Sequence, residues 1–170
     1  MDGKPWPSGA LTLAWIPEQD VGGKDNKRSD ELRIRASNLE LAGLEGVRPL
    51  VAKLSPALGD VWRSTQPSGK INTLALDIPL QAADKTRFQA SWSDLAWKQW
   101  KLLPGAEHFS GTLSGSVENG LLTASMKQAK MPYETVFRAP LEIADGQATI
   151  SWLNNDKGFQ LDGRNIDVTA

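Results

Sequence analysis

The chain has 170 residues and a formal net charge of −1, with 19 basic and 20 acidic side chains. This length is enough for one domain with its own core, and the balanced charge argues against nucleic acid as a partner. The absence of cysteine excludes a disulfide framework and a thiolate metal site, and no apolar run is long enough to predict a membrane span.

The two ends of the sequence resemble internal segments of a longer protein. The opening MDGKPWPSG resembles a start placed inside a larger protein, and the chain finishes at NIDVTA, in the middle of a strand pattern. We therefore expect residues 1–8 to be a leader or linker. Residues 9–170 are predicted to form one β domain that is a fragment of a larger protein.

Alternating apolar residues predict four β-hairpins in succession, because side chains of a strand point alternately to its two faces. The paired segments are 9–16 with 31–41, 69–80 with 86–98, 108–118 with 121–130, and 144–153 with 158–168. In the third pair, Asn119-Gly120 predicts a type I′ turn, since both residues accept a positive φ.

Residues 44–66 interrupt this pattern with apolar residues at helical spacing. Ser55 followed by Pro56 is typical of a helix start. The segment is predicted to form two short helices separated at Pro56, packed on one face or one end of the sheet.

The alternation slips by one residue in the second strand of every predicted hairpin. In the stretch TRFQASWSDLAW, Phe88 and Trp92 share one parity, whereas Leu95 and Trp97 have the other. Three of the four slips share a local sequence pattern: SNLEL, SDLAW and RNIDV. A slip sends later side chains to the opposite face unless a bulge or bend absorbs one residue. We therefore predict a repeated unit whose second strand bends at a fixed place.

Glycines inside strands, such as Gly111 and Gly115, indicate strong curvature. The predicted fold class is mainly β: a strongly curved antiparallel sheet of successive hairpins, forming a taco-like groove with a helical insert. The alternating apolar residues are the candidates for its floor, with closed core packing as the alternative for each. They are Leu11, Leu13, Trp15, Leu32, Ile34, Leu74, Leu76, Ile78, Phe88, Trp92, Leu113, Leu122, Ile150, Trp152, Phe159 and Leu161.

Nothing in the sequence predicts catalysis, a metal site or a cofactor. His108 is the only histidine, and its position beside Phe109 is typical of a surface or edge residue. Metalloprotease, nucleophile-elbow and phosphate-loop motifs are absent from the sequence. Aspartates such as Asp77 and Asp162 fall on strand positions opposite the apolar ones, where solvated carboxylates belong. We expect a protein that is not an enzyme.

Two stretches resemble the AsmA-like envelope proteins of Gram-negative bacteria. They are VWRSTQPSGKINTLAL at 61–76 and WKQWKLLPGAEHFSGTLSG at 97–115, and the resemblance extends over about residues 30–168. It implies a periplasmic bridge, anchored at the inner membrane, whose repeated hairpins form a groove that conducts phospholipid to the outer membrane. The implied partners are phospholipid acyl chains and adjoining repeats. The resemblance implies that this chain is an interior piece of such a protein, without its N-terminal anchor or its C-terminal end.

Two other functions fit the same residues. A tryptophan-rich β domain can bind carbohydrate or peptidoglycan by stacking sugars on exposed indoles, and Trp92, Trp97 and Trp100 are candidates for such a platform. A structural spacer with a closed core and no ligand is the third possibility. The orientation of the tryptophans distinguishes them: indoles along an apolar trough indicate lipid, a row of exposed indoles indicates sugar, and a sealed core indicates a spacer.

Overall fold

The computed structural model describes residues 9–17, 19–20, 27–28, 30–54, 56–136 and 138–169. The predicted leader at 1–8 and the predicted helix cap at Ser55 lie outside these ranges. The strands are β1 (Ala10–Ile16), β2 (Gln19–Asp20), β3 (Lys27–Arg28), β4 (Glu31–Glu40), β5 (Ser68–Pro79), β6 (Arg87–Trp97), β7 (Ala106–Ser116), β8 (Asn119–Met131), β9 (Leu141–Asn155) and β10 (Gly158–Thr169). The helices are α1 (Arg48–Leu54) and α2 (Pro56–Thr65), with 3-10 turns at Leu41–Val47 and Ala83–Lys85.

Eight strands form one antiparallel sheet in the order β1-β4-β5-β6-β7-β8-β9-β10. All four predicted hairpins are present, and the short β2–β3 ribbon lies in the loop of the first. Among the described strands, β1 and β10 each have a neighbour on one side only, so the sheet is open rather than closed into a barrel. The predicted fold class is confirmed.

The predicted turn at Asn119-Gly120 is wrong. Gly115 pairs with Gly120, and the chain turns through Ser116–Asn119 instead. The Ser116 hydroxyl accepts hydrogen bonds from the backbone N–H groups of Glu118 and Asn119, each at 3.2 Å, as serine does in many turns. Gly120 is needed as a glycine for another reason: a Cβ there would lie 2.1 Å from Cζ2 of Trp152.

The helical insert is present as predicted, with Pro56 at the first position of α2, where its missing N–H costs nothing. The two helices pack on each other, and the 3-10 turn that precedes them packs on β4 and β5. The carbonyl of Thr65, at the end of α2, accepts a hydrogen bond from the backbone N–H of Lys98 at 2.7 Å. The insert is therefore attached at one end of the strands. No helix in the described residues is long and apolar enough to cross a membrane.

The register divides the sheet into an apolar face and a polar face, because residues directly opposite each other on neighbouring strands share a face. One row of partners on the apolar face crosses all eight strands: Leu11, Ala36, Leu74, Ala90, Leu113, Leu122, Ile150 and Gly163. A row on the polar face consists of Ala10, Ser37, Thr73, Ser91, Thr112, Thr123, Thr149 and Arg164. Hydroxyl groups bond across this second row, from Thr73 to Ser91 and from Thr112 to Thr123, at 2.6 Å each.

The parity slips form a line across the sheet, which we call the crease. At the slip of each second strand lies a residue with a left-handed backbone: Asn38, Asp94, Gln128 and Asn165, with φ between 47° and 56°. The first strands slip at the same level, at Asn72, His108 and Ala144. Two consecutive residues at each slip point to the polar face, so apolar residues on both sides of the crease reach the same face.

Burial on the apolar face is concentrated at the crease. Bulges and unpaired extra residues bend a strand and increase its twist. The buried hydrophobic residues of the described chain all lie on the apolar face, within two residues of a slip: Ala36, Leu39, Ala106, Met126, Ala129 and Ile143. In a single-layer sheet such burial comes from neighbours on the same face, so the apolar side chains close on one another at the crease. Larger hollows, of about 400 and 610 Å³, are lined mainly by residues of the polar face.

Candidate functional site

The sixteen candidate floor residues all lie on the apolar face, as the register of the sheet shows. One row contains Leu11, Leu74, Leu113, Leu122 and Ile150. A second row contains Leu13, Ile34, Leu76, Phe88, Trp152 and Leu161. A shorter row contains Trp15, Leu32 and Ile78, and Trp92 is the only candidate in its row. Phe159 lies two residues from Leu161 on the same strand. Each long row spans seven interstrand spacings of about 4.8 Å, or about 34 Å.

The apolar face is not covered by a second layer of the described chain. None of the sixteen residues is buried: those on the inner strands are half-buried, and those on β1 and β10 are exposed. Leu13 at one edge and Leu161 at the other are each 64% exposed. The described residues also contain no large side chain that is fully buried. This arrangement is an open trough, and it does not have the sealed core that a structural spacer would need.

Glycines on β7 and β8 make room for a tryptophan that lies flat in the trough. The Trp152 indole lies over Gly120 and stacks near Phe88, with ring centroids 6.1 Å apart although three strand spacings separate β9 from β6. Its indole N–H donates to the carbonyl of Ser116 at 3.1 Å. The polar edge of this indole is therefore satisfied by the backbone, and its apolar surface faces the trough.

A second aromatic group lies at the crease. Phe109 stacks on Trp92, with centroids 5.7 Å apart and planes at 26°, and meets the edge of Trp97 at 5.3 Å and 87°. The Trp97 N–H donates to the carbonyl of Pro104 at 2.9 Å. Trp92 lies against Gly111, where an added Cβ would be 3.0 Å from its Cζ2.

This geometry does not provide a sugar-binding platform. Stacking on a pyranose ring requires a flat indole that is open to solvent. Trp92 and Trp97 are half-buried and meet Phe109 at very different angles, so they do not share a plane. Trp100 lies outside the sheet, paired with Leu103, and its ring is covered by the ammonium group of Lys101 at 4.6 Å.

Twelve further residues at or beyond the crease extend the apolar face and were not among the candidates. Phe109 and Met126 border the crease on the side of the candidate floor. The others lie beyond it: Leu39, Ile71, Leu95, Trp97, Ala106, Ala129, Met131, Ile143, Ile166 and Val168. The signal that identifies them was present in the sequence. If each parity slip is a bend, the apolar residues after the slip return to the same face as those before it.

In the part of the chain that the structure describes, the polar face carries ion pairs and no grouping that suggests catalysis. Arg35 donates to a carboxylate oxygen of Asp77 at 2.6 Å, and Arg164 pairs with Asp162 at 2.7 Å. His108 lies at the crease with its Nδ1 2.5 Å from Asp94, and both side chains are more than half exposed. Among the described residues, no three His, Asp or Glu side chains come together as metal ligands would.

The whole chain matches a known family. The family model for the YhdP protein matches residues 1–170. The intermembrane phospholipid transporter YhdP of Escherichia coli (strain K12) is 98% identical over 170 residues, which are 100% of this chain and 13% of that protein. The chain thus spans about one eighth of the length of this relative. No solved structure matches the chain.

Proposed function

This chain belongs to the YhdP protein family, and from that premise we propose that it is a segment of a periplasmic bridge that conducts phospholipids between the inner and outer membranes. The observation that carries the proposal is the apolar face. It is continuous across eight strands, most buried at the crease, and open to solvent elsewhere. The curated relative is named an intermembrane phospholipid transporter, and an open apolar trough fits such cargo.

The trough suits acyl chains because the free energy of binding a tail comes from the apolar surface area that the tail covers. Each methylene that leaves water for an apolar surface contributes about 0.8 kcal/mol. The half-buried side chains of the floor still expose apolar area that a bound tail would cover. Since neighbouring strands repeat similar aliphatic side chains along each row, a tail can move by one strand spacing and make equivalent contacts. The phospholipid headgroup stays in water above the trough.

The surroundings of the segment are part of the same proposal. We place residues 9–170 as one β-groove unit within the larger protein, joined to adjoining repeats along β1 and β10. Both edge strands carry exposed apolar side chains, including Leu13 and Leu161, which further strands would extend into a longer trough. Anchoring of the full-length protein at the inner membrane rests on the family resemblance. The movement of lipid along a surface requires no catalytic residue, and we assign none.

Cross-linking with matched positions tests the proposal. Leu121 and Leu122 are neighbours on β8, but Leu122 belongs to the apolar face and Leu121, paired with Ser114 and Ser151, to the polar face. A photoreactive amino acid is placed at either position of the full-length E. coli relative, and adducts are identified in cells by mass spectrometry. We expect a phospholipid adduct at position 122 and none at 121. Equal adducts at both positions, or none at either, would contradict the proposal.

A further inference from the structure

We propose that the inside of the crease, between β8, β9 and β10, is a separate seat for one acyl chain, closed at one end by Phe109. This inference rests on the proposed function and adds a defined subsite to it. A pocket of about 190 Å³ lies there. We call it the corner pocket; its walls include Phe109, Met126, Met131, Ile143, Ile166 and Val168.

The bend of three neighbouring strands produces the corner pocket. β8 slips at Gln128, β9 at Ala144 and β10 at Asn165. On β8, Met126 lies before the slip and Met131 after it, yet both side chains line the same pocket. A straight strand would not bring them together in this way, because an odd spacing of five residues places side chains on opposite faces.

The chemistry of the walls selects a hydrocarbon. The six side chains carry no charge and no N–H or O–H donor, and the two polar lining residues, Ser125 and Gln147, belong to the polar face by register. A phosphate or sugar would therefore be buried without partners. Two of them are methionines, whose flexible and polarisable side chains adapt to ligands of varied shape. The lipid floor continues directly into the pocket through Ala124 and Ala148, which also line it. A lipid tail is therefore the occupant that fits both the walls and the neighbouring surface.

The corner pocket is closed toward β7 and continues toward β10. Phe109 is held between Trp92 and Trp97, and buried Ala106 and Ala129 fill the space beside it. At the other end lie Ile166 and Val168 of β10, the edge along which the proposed adjoining repeat would continue the trough. A tail would reach the pocket along the trough from the β10 side and end against the Phe109 ring. A tail in the corner pocket therefore cannot pass beyond Phe109, whereas a tail on the row that contains Leu74 and Leu122 meets a continuous apolar surface.

The test uses cross-linking and a variant that fills the pocket in the full-length E. coli relative. A photoreactive amino acid is placed at Ile166, with Leu122 as the reference position on the floor. Ala148→Phe puts a ring into the pocket, and Thr149→Phe is the control on the same strand, facing the polar side. We expect phospholipid adducts at both positions in the parent protein. Ala148→Phe should lower the adduct at 166 by about tenfold and leave the adduct at 122 unchanged, and Thr149→Phe should change neither.

Every other outcome shows whether the corner pocket or the proposed function is wrong. An adduct at 122 with none at 166, or an adduct at 166 that Ala148→Phe leaves unchanged, overturns the corner pocket and leaves the proposed function standing. A cross-link from 166 to protein without any phospholipid adduct shows that a neighbouring strand occupies the pocket and also overturns the inference. Loss of adducts at both positions in the parent protein overturns the proposed function itself.

Discussion

Three half-buried tryptophans of the apolar face differ in what their indole N–H groups contact. Trp97 and Trp152 each donate to a backbone carbonyl, of Pro104 and Ser116 respectively. The Nε1 of Trp92 is buried and has no hydrogen-bond partner in the described structure. Leaving a buried donor unpaired costs about 1–3 kcal/mol. The Trp92 indole is thus retained at a cost, which its stacking on Phe109 and its contact with Gly111 offset.

This difference predicts that Trp92→Phe is better tolerated than Trp152→Phe. The first change removes an unpaired donor, whereas the second leaves the Ser116 carbonyl without its partner. Urea denaturation of the 170-residue chain should show Trp152→Phe to be less stable than Trp92→Phe by about 1 kcal/mol or more. The two substitutions remove the same atoms, so each is the control for the other. Equal losses would show that the N–H contacts do not contribute to the difference.

Gly120 and Trp152 are predicted to depend on each other. A Cβ at position 120 would lie 2.1 Å from Cζ2 of the indole, so Gly120→Ala must displace the ring. We expect it to destabilise the chain by about 1–3 kcal/mol, the usual cost of overpacking. In a Trp152→Ala background the loss should be smaller, because only the contact of the added Cβ with the Ser114 carbonyl oxygen, at 2.8 Å, remains. A double-mutant cycle measures this coupling, and additive losses would contradict the packing argument.

At the scale of the strand, the crease explains which part of the fold could be predicted from sequence. The slips at Asn38, Asp94, Gln128 and Asn165 were predicted, and all four have a left-handed backbone there. Three of the four are Asn or Asp, the residues other than glycine that most readily adopt this conformation. The matching slips of β5, β7 and β9 were not predicted, because small residues near Asn72 and Ala144 obscure the alternation in those strands.

The turn of the third hairpin shows the opposite kind of error. Asn119-Gly120 fits a type I′ turn by local sequence, but the structure places both residues in β8. A glycine is required at position 120 because of its long-range contact with Trp152. The local sequence of the turn cannot indicate a contact with a side chain 32 residues further along the chain. Tertiary packing therefore decided the register at this point, as it commonly does.

The left-handed backbone at the crease predicts how substitutions there change the stability of the chain. Gln128 has φ 47°, a conformation that costs a residue with a Cβ about 1–2 kcal/mol. Gln128→Gly should leave stability unchanged or raise it slightly, and Gln128→Val should lower it by about 1–2 kcal/mol. Lys127→Val, on the neighbouring exposed position, is the control and should stay within about 0.5 kcal/mol of the parent. Chemical denaturation of the four chains measures this; a β-branched residue tolerated equally at 127 and 128 would contradict a left-handed crease.

At the scale of the whole molecule, the face to which each apolar residue points was predictable, but the extent of that face was not. Alternation within a strand assigns Leu74 and Leu76 to one face without any knowledge of the neighbours. Joining the strands into rows requires the register, and the register depends on bulges that shift it by one residue. This is why Ala129 and Ile143, beyond the crease, were left out of the candidate floor although they belong to the buried cluster on the same face.

A charge on the floor separates an open conduit from an ordinary core. Leu76→Asp or Ile150→Asp would place an ionised carboxylate beside the acyl chains, and desolvating it there costs several kcal/mol. Both positions are half-buried, so in the empty trough the carboxylate can stay partly hydrated. We therefore expect the isolated chain to lose only about 1–3 kcal/mol, while lipid transport by the full-length protein is strongly reduced. Thr149→Asp, next to Ile150 but on the polar face opposite Arg164, should leave both properties unchanged.

Two measurements on the same variants decide between the outcomes: thermal stability of the 170-residue chain, and phospholipid transport in the envelope by the full-length protein. A folded chain with lost transport is the result expected of a conduit. If Ile150→Asp unfolds the chain, the position is part of a core that cannot accommodate water, since an unpaired buried charge typically exceeds the stability of such a domain. A folded chain with normal transport would show that lipid does not pass over these side chains, because a tail that crosses the row must replace the water around the carboxylate.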